Sequence, residues 1–208
     1  MPIKNLNEVT AGKIALWYIT ENETQLAAQV PNEVCPKEII SDHKRLEWLS
    51  GRLLVRHLAE SAGLSYSGIR KDEFGKPFLK ENNHHISLSH SYPYVAAQIH
   101  PKYSVGIDIE QPKDKLLKIA PRILDPEELQ NAGVDVVKHC VYWCAKEALY
   151  KIYGKRGLLF TNHLHVNPFE LSSNGELSGW IETNDGKVFA ELCYIVSADY
   201  VLVHSKID

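Results

Sequence analysis

The reading of this chain turns on residues 105–110, Val105-Gly106-Ile107-Asp108-Ile109-Glu110. Side chains alternate between faces along a strand. Asp108 and Glu110 therefore share one face, and Ile107 and Ile109 share the other. The isoleucines can bury while two carboxylates project together. Adjacent carboxylates repel unless something positive stands between them, and a hard dication such as Mg²⁺ takes oxygen ligands of this kind. The same spacing also occurs on surface strands that simply turn polar residues outward. A third carboxylate and a cationic phosphate site elsewhere would separate the two readings.

The third carboxylate lies on a long helix expected over about 135–153 and stopped by Gly154. At 100° per residue, Cys140, Trp143, Cys144, Glu147, Tyr150 and Lys151 fall on one face. Val141, Ala145, Ala148, Leu149 and Ile152 form a second apolar face, with His139, Tyr142, Lys146 and Tyr153 between them. A helix apolar on two faces is largely buried. Glu147 then sits on a mainly apolar stripe, where an unpaired carboxylate is expensive. Lys151, one turn on, could pair with it; a metal ion would satisfy it as well.

Working outward, an earlier helix is expected over about 41–62, stopped by Gly63, with Leu46, Leu49, Leu53, Leu54 and Leu58 as its apolar stripe. Lys44, Arg45, Arg52 and Arg56 give it positive charge, which alone could be a solvated face. A first strand is read over 14–20, a turn or loop over 21–24, and a turn at Phe74-Gly75-Lys76-Pro77. Strands follow over 85–90, 94–100 and 104–110. Ser87-Leu88-Ser89-His90-Ser91 is rich in hydroxyls around an imidazole; these groups can bind phosphate oxygens or satisfy a turn. A short basic and apolar run, 111–119, precedes a helix started by Asp125 as N-cap and Pro126. After Gly154 the chain is β-rich, with strands over 164–166, 177–181, 187–196 and 200–205 and hairpin turns at Asn174-Gly175 and Asp185-Gly186.

A chain of 208 residues with 44% hydrophobic and 24% charged residues can bury a sizeable core, as one domain or two small halves. The net charge of −3 gives no global signal for nucleic acid or an anionic membrane. No apolar run reaches the roughly 20 residues of a membrane span, and residues 1–9 lack a signal-peptide core, so a cytoplasmic location is expected. Cys35, Cys140, Cys144 and Cys193 form no ligand or disulfide framework and read as free thiols. The ten histidines include no metal-ligand pair.

The order helix then β-meander occurs twice. Trp48, Arg52 and Arg56 repeat the spacing of Trp143, Glu147 and Lys151. The expected fold is α+β, two similar halves over 1–104 and 105–208, each a long helix packed on a small antiparallel sheet.

These residues resemble the 4′-phosphopantetheinyl transferases, and the single-chain surfactin-synthetase-activating type in particular. The resemblance rests on 105–110, on Trp143-Cys144-Ala145-Lys146-Glu147-Ala148-Leu149-Tyr150-Lys151, on Gly75-Lys76-Pro77, on Ser87 to Ser91, on Gly51 to Arg56 and on Gly154 to Leu158, in that family's order. It covers about half of the chain. Residues 29–35 carry no basic residue, where family members often do.

The resemblance implies transfer of 4′-phosphopantetheine from coenzyme A to a serine of an apo acyl or peptidyl carrier protein, with 3′,5′-ADP leaving. It implies Mg²⁺, or alternatively Mn²⁺, held by Asp108, Glu110 and Glu147. It implies Glu147, Lys151 and Asp108 as catalytic residues. Coenzyme A contacts would come from Arg45, Arg52, Lys76, Ser89, His90, Lys146 and Lys151. A monomer is expected, without nucleic acid or membrane partners. The chemistry suits the residues, since phosphoryl-type transfer needs positioning and charge neutralisation more than covalent help. Two rival readings use the same features: a Mg²⁺-dependent nucleotide phosphohydrolase, and a non-catalytic carrier-binding module.

Overall fold

A computed structural model describes residues 3–9 and 12–206, with side chains over 13–205. Its contacts divide into two compact units, Met1–Ser104 and Val105–Ile207. The outer ends of the expected halves, residues 1–2 and 207–208, lie outside the described residues.

The first unit contains β1 (Ile3–Val9), β2 (Gly12–Tyr18), α1 (Glu23–Gln29), α2 (Asp42–Ser61), β3 (Ile69–Lys71), β4 (Pro77–Leu79), β5 (His85–Ser91) and β6 (Tyr94–His100). The antiparallel sheet has the order β1-β2-β6-β5-β4-β3. Leu49, Leu53, Leu54 and Leu58 of α2 pack on Trp17, Ile86, Val95 and Ile99 of the sheet. Of the turn or loop expected over 21–24, residues 21–22 are non-helical and Glu23–Thr24 already open α1. Its signal was local: Asn22 caps Gln25 N, and the Gln25 side chain returns to Asn22 N, a capping box.

The second unit contains β7 (Ile107–Glu110), α3 (Lys115–Ile119), a 3₁₀ turn (Ala120–Arg122), α4 (Pro126–Ala132), α5 (Val136–Tyr153), α6 (Phe160–His163), β8 (Leu164–Val166), β9 (Asn174–Thr183), β10 (Gly186–Val196) and β11 (Val201–Lys206). Its antiparallel sheet runs β7-β11-β10-β9-β8. Helix α5 begins at the Asp135 cap and ends at Gly154 in the left-handed region, φ 70°. Val141, Ala145, Ala148 and Leu149 face a core with Val201, Val203, Leu192 and Ile181.

The α+β class read from the sequence is the observed one. Two turn readings are corrected. Asn174-Gly175 lies inside β9, where Gly175 is opposite Tyr194. A Cβ there would come within 2.7 Å of the Tyr194 ring, so the glycine admits a ring rather than making a turn. The hairpin joining β9 to β10 turns on Asn184-Asp185, one residue earlier than expected, with Gly186 paired to Thr183. Among the described residues, no helix is long and apolar enough to cross a membrane.

Candidate functional site

On β7, Asp108 is opposite Val203 and Glu110 is opposite Val201. Cross-strand neighbours share a face. Both valines lie in the core beneath α5, so the two carboxylates are on the helix-facing side. The other side is not left to solvent: Ile107 and Ile109 are 0% and 2% exposed, and Asp108 itself only 6%. A surface strand with polar residues outward is therefore excluded.

Gly106 lets the helix come this close. A Cβ there would sit 2.0 Å from the carbonyl oxygen of Ala148, inside any allowed contact. Backbone contact at Ala148 brings the last turns of α5 onto β7. Lys151 then reaches across, with Nζ 2.7 Å from Asp108 Oδ1 and 2.8 Å from the Ile107 carbonyl. The pairing of Glu147 with Lys151 considered from sequence is thus replaced by Asp108–Lys151.

Glu147 is left in a different electrostatic condition. Burial comes first, and the Asp108 charge adds to it; together they push the Glu147 carboxyl up to about 7 against the opposing pull of Lys151. One lysine serves two carboxylates. Nearby, burial and the neighbouring Cys140 and Asp108 push the Cys144 thiol well up, so it is an inert core thiol. Glu110 has partners of its own: Oε1 accepts from Gln111 N at 2.9 Å and Oε2 is 3.4 Å from Lys115 Nζ.

Among the described residues, no three His, Cys, Asp or Glu side chains are gathered into a ready metal cluster. The donor chemistry nevertheless suits a hard dication. Asp108 and Glu147 repel one another, as Glu147's raised proton affinity records, and a cation between them relieves that repulsion. Glu110 is the third oxygen donor on the same strand face.

Lys146 has a different place from the expected coenzyme A contact. It is 0% exposed, and Nζ meets Glu128 Oε2 at 2.5 Å, the Ile123 carbonyl at 2.9 Å and the Phe160 carbonyl at 3.1 Å. Three donors are matched by three acceptors. Glu128 in turn accepts from Asp125 N and Val166 N. This ammonium ties α5 to α4, α6 and β8, with none of its protons turned toward solvent.

In the first unit, Lys76 follows a tight turn in which Asp72 Oδ1 accepts from Phe74 N and Lys76 N, with Gly75 at φ 92°. Its Nζ donates to Ser104 Oγ at 2.5 Å, and burial pushes its pKa down. Ser89 is buried on β5, whereas the His90 side chain is 48% exposed. Arg45 is bound to Glu23 and to the Ile39 carbonyl. The Arg52 guanidinium stacks 3.3 Å above the Trp48 ring and lies 3.6 Å from Glu33. Sequence reasoning missed Glu47, which is buried on α2. It continues the stripe of Ser50, Gly51, Leu54 and Leu58 at helical spacing, and that was its signal.

A family model described as the 4′-phosphopantetheinyl transferase superfamily matches residues 104–203, the span that holds β7 and α5. The chain is 33% identical over 160 residues to a 4′-phosphopantetheinyl transferase of Bacillus subtilis, across 73% of this chain and 67% of the relative. It is 35% identical over 74 residues to a holo-[acyl-carrier-protein] synthase of Bacillus pumilus, across 29% of this chain and 61% of that protein. A buried Asp108 and a half-buried Glu147 sharing one lysine, inside a span matched by a transferase family, lead to one assignment: the chain belongs to the 4′-phosphopantetheinyl transferase superfamily and is a transferase of that class.

Proposed function

We propose that the protein moves 4′-phosphopantetheine from coenzyme A to a serine hydroxyl of an apo acyl or peptidyl carrier protein. The serine oxygen forms a new bond to phosphorus, the pyrophosphate P–O bond breaks, and 3′,5′-ADP leaves. The observation that carries this reading is Glu147, held near 7 beside the Asp108–Lys151 pair. Free of metal, that carboxyl is poised near the working pH, where a base takes a hydroxyl proton efficiently. We assign the serine proton to the Glu147 carboxylate and charge neutralisation at the pyrophosphate to Lys151. Asp108 and Glu110, with Glu147 beside them, would hold Mg²⁺ or Mn²⁺. Bound there, the ion supplies Lewis-acid stabilisation of the phosphate oxygens.

Cations of the first unit, Lys76 and His90 with Ser89, Arg45 and Arg52, are proposed for the coenzyme A phosphates. Lys146 is left out, because its protons are used inside the second unit. For the carrier, the exposed cations Lys113, Lys115, Lys118 and Arg122 suit an acidic surface. Leu116 of the same run is 2% exposed and belongs to the core, so it adds no apolar surface there.

The test incubates the protein with coenzyme A, Mg²⁺ and a panel of apo carriers and reads the carriers' intact mass. A carrier gaining phosphopantetheine stoichiometrically supports the transfer. Release of free 4′-phosphopantetheine with every carrier unchanged would establish the phosphohydrolase instead.

A further inference from the structure

Glu47 is a carboxylate that the scheme above does not use. Its side chain is 2% exposed. Oε1 accepts from Tyr92 N at 3.0 Å. Oε2 lies 2.7 Å from Lys44 Nζ and 3.2 Å from Nδ1 of His90, with neither donor aligned on it as a hydrogen bond. A buried carboxylate needs compensating charge. Lys44 supplies part of it from an exposed position, where solvent screens it. The second group within reach that can carry positive charge is the imidazole of His90.

From this geometry we infer that Glu47 is a positioning residue for His90: it turns the Nδ1 edge of the ring inward and so sets the opposite edge, with Nε2, for an oxyanion ligand. The inference rests on the proposed transfer, in which that ligand is a phosphate group of coenzyme A. The chemistry is one of proton placement. A neutral imidazole with its proton on Nδ1 offers Nε2 as an acceptor, which repels a phosphate oxygen. A ring charged on both nitrogens offers Nε2–H as a donor. An anion behind the ring favours the charged form. Glu47 therefore acts on the nucleotide through His90, without touching it.

Glu47 also has a plain structural contact, its bond to Tyr92 N, so the test must separate the two. Glu47→Gln keeps the volume and an acceptor for Tyr92 N and removes only the charge. Isothermal titration with 3′,5′-ADP should show a loss in E47Q on the order of tenfold, the scale of replacing a charge-assisted hydrogen bond by a neutral one. H90A should lose at least as much, and E47Q/H90A should bind no more weakly than H90A. Affinity in E47Q equal to wild type, or losses that multiply in the double variant, would overturn the inference. A second readout needs no variant: ¹⁵N spectra of the His90 ring should show a proton on Nδ1 as well as on Nε2, and a ring holding a single proton on either nitrogen would overturn it. If the wild type carries that Nδ1 proton but binds no 3′,5′-ADP, the pairing stands and only the transfer reading falls.

Discussion

On α2, the buried carboxylate of Glu47 is met by a lysine, a histidine ring and a backbone N–H. On α5, Glu147 is met by burial and by the charge of another carboxylate, Asp108, whose lysine is already engaged. Glu47 lies on a buried stripe of α2, and Glu147 on a half-buried face of α5. In the first, a lysine, an imidazole and an N–H flank the acid, and the result is a fixed arrangement that can aim a neighbour. In the second, the acid has only a share of Lys151, so it holds a proton or accepts a metal ion. The same contrast appears at matched spacing from a tryptophan. Arg52 stacks on Trp48 in the first unit, while Glu147 follows Trp143 in the second. We propose that the two units are copies of one α+β element whose equivalent helix positions took opposite charges.

The largest expected effect breaks the second side of this comparison. Glu147→Gln should lower turnover by roughly 10²-fold or more, the scale of a lost general base. Its effect on stability should have the opposite sign. The folded carboxyl titrates near 7 and the unfolded one near 4.5. The folded state therefore binds more protons between those values, and stability falls as pH rises through that window. Removing the acid should stabilise the fold above pH 7, by at most about 3 kcal/mol, and leave it unchanged below pH 4. Urea unfolding at pH 4 and pH 8, beside the kinetics, checks both halves; an inactive variant that is also less stable at pH 8 would make Glu147 a structural acid.

Lys146 sharpens the comparison, because it neighbours Glu147 in sequence and differs from it in kind. Lys146→Met should destabilise by about 3–5 kcal/mol, since it strands the buried Glu128 charge. Combining K146M with E128Q, which removes the charge and keeps acceptors for Asp125 N and Val166 N, should recover part of that loss. Melting curves of the single and double variants decide; a single variant as stable as wild type would contradict the buried pair.

A smaller effect is expected where β7 meets α5. Gly106→Ala forces the backbones apart, and a shift of this kind in a packed core costs about 1–3 kcal/mol. Because Lys151 spans the same contact, activity should fall together with the melting temperature. The smallest change is Arg56→Ala. Its partner Glu60 is 51% exposed, so the pair should be worth only about 0.3–0.5 kcal/mol. A loss of activity in R56A would show that the first helix uses this cation as well as Arg45 and Arg52.

The positions of the long helices and the alternation around Asp108 were legible because periodicity is a local property of sequence. The stops at Gly63 and Gly154 were legible for the same reason. Partners were not. Lys151 stands one turn from Glu147, so the local pairing looked natural, but contact at Gly106 brings Asp108 nearer. Lys146 reads as a coenzyme A contact beside a catalytic acid until Glu128 and two carbonyls are seen around it. Gly175 reads as a turn because Asn-Gly favours one, yet the demand on it comes from a tyrosine ring across the strand. Glu47 was written in the helical stripe, and its meaning came only from His90, 43 positions later in the chain.

The proposed chemistry turns on Glu147 being the carboxylate with only a share of Lys151. Its direct test is ¹³C NMR titration of the Glu147 carboxyl, assigned with E147Q, before and after addition of Mg²⁺. A midpoint near 7 is expected in the metal-free protein, with a clear downward shift on adding Mg²⁺. A midpoint near 4.5 that Mg²⁺ does not move would contradict it.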